Sequence, residues 1–371
     1  MRVFYYLSGY ISHHLAGQEY IACLRRLGHT VSCNYPEEPE DLHGERTPET
    51  VSARGGLDFA REPETLRRAL EADLLILHED PAWHGPLYEA LPPLRHKPAV
   101  ACLPWENEEP PQAFLEPLRR AGCIWTCSEF CRRSFLKVFP RVEVLPHVVR
   151  RPRAGKEDLA WGRELLEKHG AGGAAIFLSV MDGLNPRKNL PALLTAFSRL
   201  RRETRRPVKL LLKQYRAAMP LEQYPDVINI TEMLPEGRLA ALYILSSAYV
   251  SPHHAEGWGL SLSAAMSLGK IVIATGYSGN LEFMNPGNSL LLRFSLAPVP
   301  PEMSRAIPLF SPEMRWAQVE IDDLVRAMRL VAEERTAPEL RREAARIADL
   351  FGPEQISRRL DFLLKRLDSH P

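Results

Sequence analysis

"HHAEGWGLSLSAAMSLGKIVIATGYSGN", residues 253–280, is the stretch that decides the fold. It runs from the end of one apolar strand ("AYVSP", 248–252) through a turn carrying Glu256 into a short apolar helix, 260–268. A second strand follows, "IVIAT" (271–275), and it breaks into another small-residue turn, "GYSGN". Strand, turn, helix, strand is the βαβ unit of a parallel sheet, in which ligands gather at the carboxyl ends of the strands. Gly257 and Gly259 allow the backbone to approach a ligand closely after one strand. Gly276, Ser278, Gly279 and Asn280 make the corresponding turn after the next.

Working outward, the same alternation extends on both sides. Upstream lie a strand at 174–180 ("AAIFLSV"), a helix at 189–202, strands at 208–213 ("VKLLLK") and 227–231, and a helix at 236–246. Downstream are a Pro-rich stretch, 296–312, read as an excursion loop, and helices at 321–334 and 338–350. The first half repeats the theme. "RVFYYLSGY" is a strand ending in Ser8-Gly9, followed by a helix over 18–27 and the strand "GHTVSCNY". Further strands fall at 73–80, 98–106, 123–128 and 142–147, and the charged 148–162 reads as a linker. Two Rossmann-like α/β halves in tandem account for 371 residues better than one core does. The expected divisions are 1–150, 151–352 and a closing helix, 353–371.

Composition narrows the function. An apolar fraction of 45% and a charged fraction of 25% are those of a globular protein, and a formal net charge of +1 gives no global attraction to nucleic acid. No stretch approaches the roughly 18–20 apolar residues of a membrane span. The N-terminal "MRVFYYLSGYISHH" reads as a strand rather than a secretory leader, and six Cys without paired spacing suit a reducing cytoplasm. Cys123, Cys127 and Cys131 recur every four residues, but they read as buried thiols rather than a metal cluster. The sequence shows no metal-ligand pair and calls for no cofactor.

The chemistry-bearing residues sit at predicted strand ends. Only nine of the 47 basic residues are Lys, so each Lys near a turn is informative. Arg187 and Lys188 precede a helix, whose N-terminal amides favour an anionic phosphate. Lys213 closes a strand; a charge snorkelling from a strand end is its other reading. With Glu256 and the glycine turns these residues describe a basic crevice holding one carboxylate, suited to a diphosphate joined to a polyhydroxylated group. In the first half, Gly9, His13 and His14 follow the first strand, and His78 ends another. Trp105 and Glu106 end a third, where the indole stacks on a sugar or serves as a core aromatic. The stretch "CRRSFLKVFPR" (131–141) is basic with interleaved apolar residues. It suits peripheral contact with an anionic membrane, or it is a solvated helix face.

"EGWGLSLSAAMSLGKIVIATGYSGNLEFM" and "NPRKNLPALLTAF" resemble the donor-binding segments of retaining family-4 glycosyltransferases of the GT-B fold (glycosyl transferases group 1). The resemblance covers about 174–335 well and the first half by architecture alone. It implies two Rossmann-like domains facing each other across a cleft, an acceptor side in the first and a nucleotide-sugar site in the second. The closing helix would cross back to the first domain. It further implies Lys188 on the nucleotide diphosphate, Glu256 on the donor sugar, and the Ser278–Asn280 turn near the diphosphate or sugar. His78 would lie beside the reacting sugar. The activity implied is sugar transfer with retention and without a metal. A carbohydrate, lipid-linked glycan or protein would be the acceptor, in the cytoplasm or at the inner face of its membrane.

Two positions depart from the family pattern. Gly183 stands where an Arg is common five residues before the Lys, and Lys213 is the candidate replacement. The second glutamate of the family's Glu–seven residues–Glu pattern, which clamps the ribose, falls on Ala264. Losing a charged hydrogen bond costs about 1.5–3 kcal/mol, roughly ten- to a hundredfold in affinity, less if Ser263 or water substitutes. A degenerate binder without transfer activity, and a GT-B relative doing epimerisation or phosphorolysis, are the competing readings.

Overall fold

The structure is a computed structural model that describes residues 1–35, 57–215 and 219–368. It contains two compact units, residues 1–148 with 349–371, and residues 149–348.

The first unit is a parallel six-stranded sheet of order β2-β1-β3-β4-β5-β6. Its strands are β1 (Arg2–Leu7), β2 (Thr30–Cys33), β3 (Leu74–His78), β4 (Ala99–Cys102), β5 (Cys123–Thr126) and β6 (Val142–Val144). β3 is buried at every position, as expected of a central parallel strand covered on both faces. The first helix spans Ile11–Arg26 rather than starting at Gln18. Gly17, one residue before the expected start, is where the helix meets the sheet. A Cβ there would lie 2.3 Å from Leu7 Cδ2 and 3.0 Å from His78 Nδ1. The closing helix, Pro353–Asp368, buries Ile356, Leu360, Leu363 and Leu364 against Tyr20, Ile21 and Leu24 of that first helix. Residues 369–371 of the expected helix lie outside the described residues.

The second unit is a parallel six-stranded sheet of order β12-β11-β10-β7-β8-β9. Its strands are β7 (Ala175–Met181), β8 (Val208–Gln214), β9 (Val227–Ile230), β10 (Ala248–Ser251), β11 (Ile271–Thr275) and β12 (Leu290–Leu292). This is the doubly wound Rossmann order, whose topological switch lies between β7 and β10, paired through Ala248↔Phe177 and Tyr249↔Leu178. Helix Leu190–Glu203 turns Leu190, Leu193, Leu194, Phe197 and Leu200 into the core beside Leu324, Met328 and Val331 of helix Ile321–Ala332.

Two expectations change in this unit. A helix, Lys156–Lys168, begins within the stretch read as a linker and runs past it, started where the Asp158 carboxylate accepts from the Gly155 N–H at 2.9 Å. The excursion at 296–312 is ordered as an antiparallel arm, β13 (Phe294–Pro298) against β14 (Arg315–Val319), with a short helix, Pro301–Ala306, between them. Pro298 ends β13, and Pro300 and Pro301 start the helix, where a missing N–H costs little. The helix expected over 338–350 is two pieces, Pro338–Ala345 and Ile347–Leu350.

Candidate active site

The turn after β7 and the loop after β10 converge at the switch of the second sheet. Asn185 starts the turn: its side chain accepts from the Arg187 N–H, and Pro186–Lys188 form one tight turn. Asn189 adopts φ 58° and ties the turn to the next strand by donating to the Pro252 carbonyl at 2.9 Å. Lys188 Nζ then reaches Glu256 Oε1 at 2.5 Å, and Arg187 Nη1 lies 3.2 Å from Glu256 Oε2. The same guanidinium donates to the Ala255 carbonyl at 2.6 Å, so it braces the loop as well as facing its carboxylate.

Glu256 is 7% exposed. Burial alone pushes its carboxyl upward, but chiefly the charges of Lys188 and Arg187 overcome that and hold it at about 2. A buried carboxylate ionised between two cations is costly as a mere structural pair. It is well suited to exchange one partner for a ligand. His253 lies beneath it, fully buried, with Nδ1 3.0 Å from Ser251 Oγ and Nε2 3.2 Å from Asn280 Oδ1. Burial pulls this imidazole down to about 4, so it is neutral at pH 7.

The second glycine turn locks onto the first. Gly279 N donates to the Glu256 carbonyl at 2.7 Å, and the Glu256 N–H donates to Ser278 Oγ at 2.8 Å. A Cβ at Gly279 would lie 1.8 Å from the Gly257 carbonyl oxygen, so only glycine permits this approach. Ser278 sits at φ 77°, and its hydroxyl donates to the Tyr277 carbonyl. Asn280 is fully buried, donating to the Thr275 carbonyl at 3.0 Å. The side chains of Ser278 and Asn280 thus hold together the turn that the resemblance sets near the diphosphate or sugar; short polar groups in a turn satisfy buried backbone. Gly259, at φ 95°, starts helix Leu260–Ser267.

The two departures from the family pattern have structural answers. Gly183 faces the Gln214 side chain, whose Oε1 is 1.9 Å from where a Cβ would stand. Gln214 is fixed there by bonds with Met219 and Asn229. Lys213, the proposed replacement, is buried with its ammonium donating to the Gln214 carbonyl, and burial lowers its pKa. Ser263 is no substitute for a carboxylate at Ala264, because its hydroxyl donates to the Leu260 carbonyl and lies 3.2 Å from Trp258 Nε1.

The residues singled out in the first half have these surroundings. His78 is fully buried beneath the first helix, with Nδ1 2.8 Å from the Tyr5 hydroxyl, and burial holds it well below its ordinary pKa. His14 is buried, its Nδ1 3.1 Å from the Ser8 carbonyl and its ring edge-on to Tyr35. His13 is half-buried and stacks on His78 at 5.8 Å. Trp105 is a core aromatic, 3% exposed, with Nε1 donating to the Glu109 carbonyl at 2.7 Å. Glu106 is half-buried beside it in sequence. Gly9 N and Ser8 Oγ both donate to Glu79, a carboxylate the sequence reading passed over. Among the described residues no group of three or more His, Cys, Asp or Glu is placed to hold a metal, and no helix is long and apolar enough to cross a membrane.

Comparisons with known proteins bear on the family and the fold. The family described as "Glycosyl transferases group 1" matches residues 163–295. An O-antigen chain mannosyltransferase B of Escherichia coli is 29% identical over 187 residues, which is 44% of this chain and 46% of that protein, less than half its length. A sucrose-phosphate synthase from Thermosynechococcus elongatus superposes with a TM-score of 0.64 at 16% identity, covering 100% of this chain and 99% of that one. A UDP-forming trehalose-phosphate synthase from Burkholderia xenovorans gives 0.62 at 12% identity, covering 99% and 98%. A pneumococcal O-GlcNAc transferase in complex with UDP and GlcNAc gives 0.56 at 13%, covering 80% and 57%. The chain has the GT-B fold.

Proposed function

We propose, from the membership of residues 163–295 in the glycosyl transferases group 1 family, that this chain moves a glycosyl group from a nucleotide-activated sugar to an acceptor with retention of the anomeric configuration. The observation that carries the reading is the Lys188–Glu256 pair at 2.5 Å, set at the switch point of a Rossmann sheet. The donor diphosphate takes Lys188 from its internal partner. The freed carboxylate of Glu256 then faces the sugar hydroxyls and complements positive charge at the anomeric carbon.

In the reaction the bond from the anomeric carbon to the diphosphate oxygen breaks as the bond to the acceptor oxygen forms on the same face. The acceptor proton passes to the leaving phosphate oxygen. Lys188 stabilises the negative charge growing on that oxygen, the preorganised electrostatic effect that dominates such catalysis. Arg187 contributes mainly by holding Ala255 and Glu256 in place. No metal enters this scheme. A saccharide or lipid-linked glycan is the acceptor class we favour, because a relative over 187 residues is an O-antigen chain mannosyltransferase.

The test is a panel of UDP- and GDP-linked hexoses, reading nucleotide release and thermal stabilisation, with Glu256→Gln and Lys188→Ala as controls. Turnover of one donor that both substitutions reduce by about a hundredfold or more supports the proposal. A donor turned over equally well by both variants removes it. A specific observation favours a second reading, a binder without transfer: Gln214 closes the space at Gly183, and Ala264 has no carboxylate. Thermal stabilisation by a nucleotide sugar that is never consumed, with any acceptor tried, selects that reading instead.

A further inference from the structure

We propose that the arm of residues 294–319 is a positioning device for the Lys188–Glu256 pair, with Trp316 as its positioning residue, acting through His254. The proposal rests on the reading of Glu256 as the sugar-facing carboxylate.

A doubly wound sheet needs no such arm. The sheet of the second unit is complete with β12, and helix Ile321–Ala332 follows directly from β14. The arm forms its own two-stranded sheet, with Ala297 opposite Trp316 and Leu296 opposite Ala317. It then grips the active loop from outside the parallel sheet. The Trp316 indole stacks on the His254 ring at 4.0 Å with 14° between planes. Ala317 bonds His254 on both sides: Ala317 N donates to the His254 carbonyl at 3.0 Å, and His254 Nδ1 lies 2.6 Å from the Ala317 carbonyl.

From His254 the linkage runs into the site in two short steps. The His254 N–H donates to the Arg187 carbonyl at 2.8 Å, and the Arg187 side chain holds Ala255 and faces Glu256. The helix of the arm, Pro301–Ala306, packs against the Pro186–Lys188 turn itself. One element therefore holds both halves of the ion pair, which lie 68 residues apart in sequence. Trp316 and His254 are 2% and 7% exposed, so the flat stack leaves little room for the loop to slide. A shift of about 1 Å in a catalytic group is enough to cost roughly a hundredfold in rate.

The experiment uses the full chain with Trp316→Leu, Trp316→Phe and His254→Asn. Two readouts are taken: kinetics with whichever nucleotide sugar the wild type consumes, and the reductive methylation rate of Lys188 with formaldehyde and borane. Mass spectrometry follows the methylation, with exposed Lys365 as the internal reference. Trp316→Leu and His254→Asn should lower kcat by about ten- to a hundredfold while donor KM stays within about threefold. In both, Lys188 should react several-fold faster. Phe, which keeps a flat ring on His254, should restore both values to near wild type.

Unchanged Lys188 reactivity in folded Leu and Asn variants, with only the melting temperature lowered, overturns the proposal and makes Trp316 a core filler. Equal damage from Leu and Phe overturns the role of the stack. If no donor is consumed by the wild type, the glycosyltransferase reading fails separately, and Lys188 reactivity alone then decides whether the arm positions the pair.

Discussion

Replacing Glu256 by Gln keeps the shape of the site and removes its one negative charge. The carboxyl is held at about 2 against an ordinary 4.5, so the charged form is favoured by about 3 kcal/mol after the burial cost has been met. For a carboxylate with a depressed pKa this contribution is present above about 4.5 and lost as pH falls toward about 2, so at pH 7 all of it is at stake. Gln also leaves Lys188 and Arg187, with side chains 16% and 10% exposed, facing no carboxylate. The nucleotide-free variant should be less stable by about 3 kcal/mol, the lower part of the range for breaking a buried ion pair.

The same loss should strengthen anion binding. A diphosphate about 5 Å from the Glu256 charge is repelled by about 3 kcal/mol at an effective dielectric constant of 20, and by roughly half that where solvent reaches the site. Glu256→Gln should therefore bind UDP or GDP about tenfold more tightly while turning over donor about a hundredfold more slowly. Titration calorimetry and thermal melts, with and without nucleotide, read both effects. Weaker nucleotide binding by the variant, in step with its lost turnover, refutes the idea that Lys188 is shared between Glu256 and the diphosphate.

Acid should loosen the second unit well before Glu256 titrates. His253 and His254 are both held at about 4 by burial, so their neutral forms stabilise the fold fully above about 6.5 and progressively less below it. At about 1.4 kcal/mol per pH unit each, the unit loses about 4 kcal/mol between pH 6.5 and 5; equal urea midpoints at pH 7 and pH 5 would count against this. Gly279→Ala forces a methyl onto the Gly257 carbonyl, and about 2 kcal/mol or more of stability should go with the lock between the two turns. A circular dichroism melt measures that loss, and an unchanged melting temperature contradicts it. Ala264→Glu restores a carboxylate eight residues after Glu256 on helix Leu260–Ser267, and it should tighten nucleotide binding by about tenfold in calorimetry.

The sequence by itself determined the layers and the strand ends at which the candidate residues stand. Apolar strands at 174–180, 208–213, 248–252 and 271–275, alternating with helical patterns, specify a parallel sheet, because strand and helix periodicity are written within about ten residues. A Lys and a Glu, each following a strand and preceding a helix, then mark the ligand end. Local pattern also misled where non-local contacts decide. The first helix, expected from Gln18, starts at Ile11, with Gly17 packed against the sheet. The prolines of 296–312 read as loop and punctuate an ordered arm.

Only the tertiary structure decided which polar groups remain for a ligand. Ser278, Asn280, Lys213, His78 and Trp105 all have residue types that suit a sugar-nucleotide site. Each finds an internal partner, because a buried polar atom must be satisfied by whatever the fold brings near it, however distant in sequence. The same rule fixes Gln214 in the space beside Gly183 and sets His254 Nδ1 against the Ala317 carbonyl. The sequence marks the strand end where a side chain emerges. The partner it meets there depends on strand order, and strand order is settled by the packing of the whole sheet.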